Sequence, residues 1–240
     1  MTWNPSMTQQ LDSDGRLKHL LTLEGLPRET LCRLLDRAGQ IRDAALGRTQ
    51  KRSSLSGTTI CTLFFEPSTR LGADVINFDA STSSSRKGET ALDTLKNLEA
   101  MGVRGFIVRH PQDGAAEALA AEAGEGTTLV NAGDGRSAHP TQGLLDALTL
   151  RQAKGADFSK LKVLIVGDVK HSRVARSDLH ALRTLGTGEI RVCGPSELLP
   201  QDATLQGCEV GDDFNAMLDG VDAVMMLRLQ RERMEEGLIA

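Results

Sequence analysis

The stretch TICTLFFEPSTRLGADVINF, Thr59 to Phe78, decides the fold of the N-terminal half. It begins as an apolar run rich in β-formers, residues 59–65, and reads as a strand. The run stops at the turn residue Pro67, and Ser68, Thr69 and Arg70 follow at once. A strand that delivers two hydroxyls and a guanidinium into a loop is suited to holding an anion. Backbone N–H groups of a following helix cradle the oxygens, the hydroxyls donate, and arginine adds charge and a planar fork. A second strand-like run, residues 74–78, is separated from Phe65 by only residues 66–73. Parallel strands need a crossover of at least about 10–12 residues. The helix expected to complete the anion site therefore has no room.

Outward from this stretch, strand and helix patterns alternate along the chain. Pro27 stands at a helix start, and Leu31, Leu34, Leu35, Ala38, Ile41 and Ala45 recur at helical spacing up to Gly47. Residues 106–109 and 127–131 read as further strands, and 89–101, 114–122 and 140–154 as helices. After a polar connector, 156–160, a second set follows: strands at 162–166, 189–193 and 223–227, and a helix at 172–185. Such alternation predicts an α/β fold of two doubly wound parallel-sheet domains. The boundary is expected at residues 150–160, giving domains 1–150 and 151–240. The second domain reads as incomplete, with three or so strands where sheets usually hold about 4–6. Residues 1–18 are polar and read as frayed.

Composition narrows the function classes. A chain of 240 residues with net charge −4 argues against a nucleic-acid or acidic-membrane surface. Cys32, Cys61, Cys193 and Cys208 form no C-x-x-C pair and sit among apolar residues, which predicts buried free thiols and a reducing, cytoplasmic setting. No apolar leader and no run of about 18 apolar residues is present, so no membrane segment is expected.

Ligands of open α/β sheets bind beyond the carboxyl ends of the strands. There the chain places Ser68-Thr69-Arg70, then Arg109-His110, then Asp134-Gly135-Arg136 with His139-Pro140-Thr141-Gln142. The second set adds Gly167-Asp168, His171-Ser172-Arg173 and Arg228-Leu229-Gln230. Five strand ends carry an arginine, which points to a ligand with several negative charges. A single strand-end arginine is also an ordinary surface ion-pair partner, so any one of the five has two readings. His139 either caps the helix opened by Pro140 or, with Gln142, donates to a carbonyl-type oxygen as acyl transfer requires. Lys87, in a Ser/Gly loop, is either solvated or reaches over a bound anion. Without a G-x-G-x-x-G after a strand, nucleotide binding is not expected. No His/Cys/carboxylate spacing suggests a metal, and no G-x-S-x-G elbow appears.

These residues resemble the aspartate/ornithine carbamoyltransferase family, and within it the catalytic chains that use aspartate. The resemblance runs from about residue 18 and rests on F-F-E-P-S-T-R (64–70), S-S-S-R-K-G-E-T (83–90), V-R-H-P (108–111) and A-G-D-G-R-S-A-H-P-T-Q (132–142). H-S-R-V-A-R-S (171–177) and M-L-R-L-Q-R-E-R (226–233) extend it, the last separating aspartate-using from ornithine-using members. It implies transfer of a carbamoyl group from carbamoyl phosphate to L-aspartate in pyrimidine biosynthesis, with no metal or organic cofactor. It further implies that Ser68, Thr69, Arg70 and Arg109 bind the phosphate and that His139 and Gln142 hold the carbamoyl group. Arg173 and Arg228 would pair with the aspartate carboxylates, with Gln230 supporting Arg228. Ser83 and Lys87 would come from a neighbouring subunit of a homotrimer, with a regulatory chain or a dihydroorotase-like partner as further associates. His139, Arg70 and Lys87 are the implied catalytic groups.

The family pattern carries about eleven more residues after Arg70, and more chain beyond the equivalent of Ala240. The first departure coincides with the short crossover read from spacing alone. Three readings follow: an aspartate carbamoyltransferase of reduced activity, a non-catalytic homologue serving as an assembly partner, or an inactive fragment. The joint retention of Arg109, His139, Gln142, Arg173 and Arg228 favours the first.

Overall fold

The protein is represented by a computed structural model that describes residues 7–45, 58–63, 74–78 and 90–229. Two four-stranded sheets, all parallel, form its frame. The chain divides into two compact units, Met1–Thr22 with Arg37–Thr141, and Leu23–Asp36 with Gln142–Ala240. The division thus falls near the start of the helix that was expected to close the first domain.

In the first unit the strands are β1 (Thr59–Leu63), β2 (Asp74–Phe78), β3 (Gly105–His110) and β4 (Thr128–Asp134), ordered β2-β1-β3-β4. Phe64 and Phe65, the last residues of the strand read from sequence, belong to the stretch 64–73 that joins β1 to its parallel neighbour β2. That connection lies outside the described residues. Two short helices cover the sheet, α3 (Ala91–Ala100) and α4 (Ala115–Ala121). Thr90 starts α3 with a capping box: its hydroxyl accepts from the Asp93 amide at 3.1 Å, and Asp93 accepts from the Thr90 amide at 2.9 Å. Leu95 and Leu98 of α3 and Leu119 of α4 pack with Phe106, Val108 and Leu129 in one core.

The N-terminal segment departs from its expected fraying. Helix α1 (Met7–Gln10) is followed by a turn, and Leu20 then pairs in parallel with Val130 at the free edge of β4. Gln10 is buried and its side-chain oxygen accepts from the amides of Leu21 and Thr22 at 2.8 and 3.0 Å. Buried hydrogen bonding replaces the apolar periodicity that sequence reading looks for.

In the second unit β5 (Lys162–Val166), β6 (Glu189–Cys193), β7 (Glu209–Gly211) and β8 (Ala223–Met226) are ordered β7-β6-β5-β8. Among the described residues the sheet therefore has four strands rather than about three. The missed strand β7 has 3 residues and the helix after it, α7 (Phe214–Leu218), has 5. Neither is long enough to show a period. Val163, Leu164 and Ile165 of β5 are fully buried, as a central parallel strand requires. Helix α2 (Arg28–Ala45) begins one residue after Pro27, and α5 (Pro140–Lys154) follows β4. Helix α6 (Arg173–Leu185) lays Leu179, Leu182 and Leu185 inward and ends on Gly186 in the left-handed conformation. Among the described residues no helix is long and apolar enough to cross a membrane.

In both sheets the chain first builds strands to one side and then crosses to the other. The switch falls between β1 and β3 in the first unit and between β5 and β8 in the second. At such points loops leave adjacent strands in opposite directions and open a crevice at their carboxyl ends.

Candidate active site

In the first unit, Leu63 of β1 pairs with Val108 of β3, the residue before Arg109. Ser68, Thr69, Arg70, Ser83 and Lys87 lie outside the described residues, as does Gln230 of the second unit. Arg109 is half-buried at the end of β3 and makes no hydrogen bond or ion pair among the described residues. The β3–β4 register shifts between Val108 and His110, where Gly133 has φ +115 and its amide donates to the Asn131 side chain at 2.8 Å. Such an irregularity re-aims side chains at a strand end. His110 serves its own turn, its Nδ1 accepting from the Gln112 amide at 3.1 Å.

The loop after β4 is built around Asp134, which is fully buried. Asn131 Nδ2 donates to it at 2.9 Å and the Ala138 amide at 3.3 Å, while its own amide donates to the Ala138 carbonyl at 3.2 Å. Burial pushes the Asp134 carboxyl above its usual range; hydrogen bonds from Asn131 and from the amides of Ala138, Gly114 and Ala116 oppose this. The loop passes so close to Asp113 that a Cβ on Gly135 would stand 2.6 Å from the Asp113 backbone nitrogen. The result is a tight hook that delivers His139 to the start of α5.

His139 is half-buried and its Nδ1 lies 3.2 Å from the Thr141 hydroxyl. In the tautomer whose Nδ1 accepts from that hydroxyl, the ring proton resides on Nε2. The ring thus stands at the start of α5, one residue before Pro140. Gln142, in the first turn of α5, donates through Nε2 to Asp146 at 3.1 and 3.3 Å. Arg136 takes the bland reading: it is exposed and pairs with Asp113 at 3.8 Å.

In the second unit, β5 leads into a buried turn. Asp168 is fully buried and accepts from the His171 amide at 3.2 Å, with its carboxylate 2.8 Å from His171 Nδ1. Ser172 then caps α6 by accepting from the Ala175 amide at 3.1 Å, which fixes Arg173 as the first helical residue, 7% exposed. Val166 pairs with Met226 of β8, so exposed Arg228 leaves the strand next to β5. Arg173 and Arg228 therefore flank one switch point, and Arg109 stands at the other.

Three carboxylate arrangements escaped sequence reading: Asp134 with Asn131, Asp168 with His171, and Asp146 with Gln142. Each partner lies three or four residues away, so a scan for polar pairs at i,i+3 and i,i+4 would have found them. Among the described residues no group of three or more His, Cys, Asp or Glu side chains is placed to hold a metal ion.

Residues 18–152 match the family model for the aspartate/ornithine carbamoyltransferase carbamoyl-P binding domain. The aspartate carbamoyltransferase catalytic subunit of Xanthomonas axonopodis pv. citri is 80% identical over 243 residues, covering 97% of this chain and 77% of that protein. The same subunit from Stenotrophomonas maltophilia is 78% identical, with 96% and 77% covered. Among solved structures, Trypanosoma cruzi aspartate transcarbamoylase in complex with carbamoyl phosphate superposes with TM-score 0.77 at 29% identity, covering 92% of this chain and 74% of that one. The catalytic subunit of M. Jannaschii aspartate transcarbamoylase gives TM-score 0.76 at 30% identity, with 91% and 76% covered. The 243 aligned residues exceed the 240 of this chain although only 97% of it is included, so the relatives carry roughly ten residues inside the matched region that this chain lacks. The chain belongs to the aspartate/ornithine carbamoyltransferase family, among the catalytic subunits of aspartate carbamoyltransferase.

Proposed function

We propose that this chain transfers the carbamoyl group of carbamoyl phosphate to the amino group of L-aspartate, giving N-carbamoyl-L-aspartate and phosphate in pyrimidine biosynthesis. The observation that carries the reading is the placement of arginines at both sheet switch points: Arg109 in the first unit, Arg173 and Arg228 in the second. A dianionic amino acid and an acyl phosphate together demand that charge distribution. Structures of the Trypanosoma cruzi enzyme were determined with aspartate and phosphate, and with carbamoyl aspartate and phosphate, which supports the same substrates here.

We assign carbamoyl phosphate to the first domain, residues 1–150, and aspartate to the second, 151–240. Ser68, Thr69, Arg70 and Arg109 hold the phosphate as charge builds on the leaving group. His139 donates from Nε2 to the carbonyl oxygen of the tetrahedral intermediate, and Gln142 orients the carbamoyl group. Arg173 and Arg228, with Gln230, fix the two aspartate carboxylates so that the amine faces the carbonyl carbon. The amine forms the new C–N bond, the C–O bond to phosphate breaks, and the amine proton leaves with phosphate. Orientation and electrostatic stabilisation carry the rate, and no covalent enzyme intermediate is needed.

A catalytic homotrimer, in which Ser83 and Lys87 of one subunit complete the site of the next, accords with the family resemblance. Association with a regulatory chain or a dihydroorotase-like partner belongs to the same proposal. The four free cysteines support a cytoplasmic setting. The shortfall of roughly ten residues relative to the Xanthomonas subunit favours a lowered activity over that of a complete relative. A steady-state assay with both substrates tests the proposal: N-carbamoyl-L-aspartate should form, with a raised KM for carbamoyl phosphate. A folded chain that forms none would overturn it.

A further inference from the structure

Helix α5 carries a polar relay that the transfer reaction does not itself require. Gln142 Nε2 donates to both carboxylate oxygens of Asp146, one turn on, at 3.1 and 3.3 Å. Asp146 in turn meets Asp178 of α6. The helices approach closely because residue 143 is glycine: a Cβ there would stand 3.1 Å from Ser177 Cβ and 3.2 Å from the Ser177 carbonyl carbon. Asp178 is 2% exposed, and among the described residues neither of its carboxylate oxygens receives a hydrogen bond.

The one charged group acting on Asp178 among the described residues is Asp146, and the groups acting on Asp146 are Gln142 and Asp178. Two carboxylates in contact do not both stay ionised; one proton between them turns repulsion into a hydrogen bond. Burial, and then the Asp146 charge, push Asp178 well above the usual carboxylate range. Burial raises Asp146 as well, but the Gln142 hydrogen bond opposes it. The proton therefore belongs on Asp178, and Asp146 remains the acceptor.

We propose that Asp146 and Asp178 are positioning residues: Asp178 donates to Asp146, Asp146 holds the Gln142 amide nitrogen, and the Gln142 oxygen is turned away toward substrate. This rests on the carbamoyl-binding role proposed for Gln142. An amide oxygen fixed in this way accepts a hydrogen bond from the NH2 of a carbamoyl group, whereas the CH3 of the similarly shaped acetyl group leaves it unpaired. A site built to hydrogen-bond a polar group rejects an analogue that lacks it far better than an apolar pocket rejects a lost methylene. The relay thus selects carbamoyl phosphate over acetyl phosphate.

The test measures kcat/KM with each acyl phosphate, at saturating aspartate, for the unaltered chain and for Asp146→Ala, Asp178→Asn and Asp178→Leu. Asp146→Ala should lower the carbamoyl-over-acetyl ratio by at least ~10-fold, mainly through the KM for carbamoyl phosphate. Asp178→Leu should lower it in the same direction, whereas Asp178→Asn, whose NH2 still donates to Asp146, should keep the preference. A general loss of packing slows both substrates alike, so an unchanged ratio in Asp146→Ala overturns the proposal. If the unaltered chain forms no product, that result speaks against the proposed function instead, and the shared proton is then read from unfolding. Relative to Asp178→Asn, the unaltered chain should lose stability as pH rises above the usual carboxylate range. Equal pH dependence in the two would overturn the relay.

Discussion

Arg136 and Arg173 show how little a residue type says without its surroundings. Both are arginines just past a strand, but Arg136 is exposed and paired with Asp113, whereas Arg173 is buried at the first position of a capped helix. Arg136→Ala is expected to leave stability within about 0.5 kcal/mol of the unaltered chain, and activity unchanged. Arg173→Ala should instead raise the KM for aspartate and cut kcat/KM by ~100-fold or more, the scale of a lost charge-assisted pair, with little change in the KM for carbamoyl phosphate. Steady-state kinetics of the two variants side by side checks both. The strand-end arginines were legible in sequence because a strand followed by Arg needs only local pattern to be seen. Which of them is spent on an ion pair was not legible, since Asp113 lies in another loop. The close approach of α5 to α6 was equally hidden, because it depends on Gly143 meeting Ser177 in the fold.

At the scale of elements, the edge of the first sheet and the α5–α6 crossing carry separate predictions. The Leu129 amide donates to Nδ1 of buried His19 at 3.1 Å, so the segment beside β4 needs a neutral imidazole. Burial, with a smaller contribution from Lys18, lowers His19 from 6.5 to about 4. Below pH 6.5 the unfolded chain takes up a proton that the folded chain refuses, so stability is present above 6.5 and is lost as pH falls towards about 4. The loss approaches roughly 3 kcal/mol, from about 1.4 kcal/mol per pH unit. Urea unfolding at pH 7 and at pH 4.5 measures it. His180, also lowered to about 4, titrates in the same window, so the His19→Gln variant isolates the contribution, and its pH dependence should be shallower. Gly143→Ala is expected to destabilise the second unit by about 1–3 kcal/mol, because the Ser177 backbone must yield. Thermal unfolding checks it. Most elements were readable from the alternation of strand and helix patterns, as α3 and α6 show. The segment around Gln10 was missed because its order comes from a buried amide side chain rather than an apolar face.

At the scale of the molecule, two parallel sheets of the same winding each present cationic groups at a topological switch point. The alternation of strand and helix made this architecture visible in sequence, while β7 and α7 were too short to register. The family relationship supplies the chemistry, and the alignment shows that this chain carries roughly ten residues fewer than its relatives in the matched region. The whole-molecule expectation is a chain that still catalyses transfer but binds carbamoyl phosphate less tightly than the Xanthomonas subunit does. The measurement that tests this most directly is formation of N-carbamoyl-L-aspartate by the purified chain across a carbamoyl phosphate titration, beside the Arg173→Ala variant. The account predicts saturable product formation that the variant loses for want of aspartate binding. No product from a folded chain, or equal product from chain and variant, would contradict it.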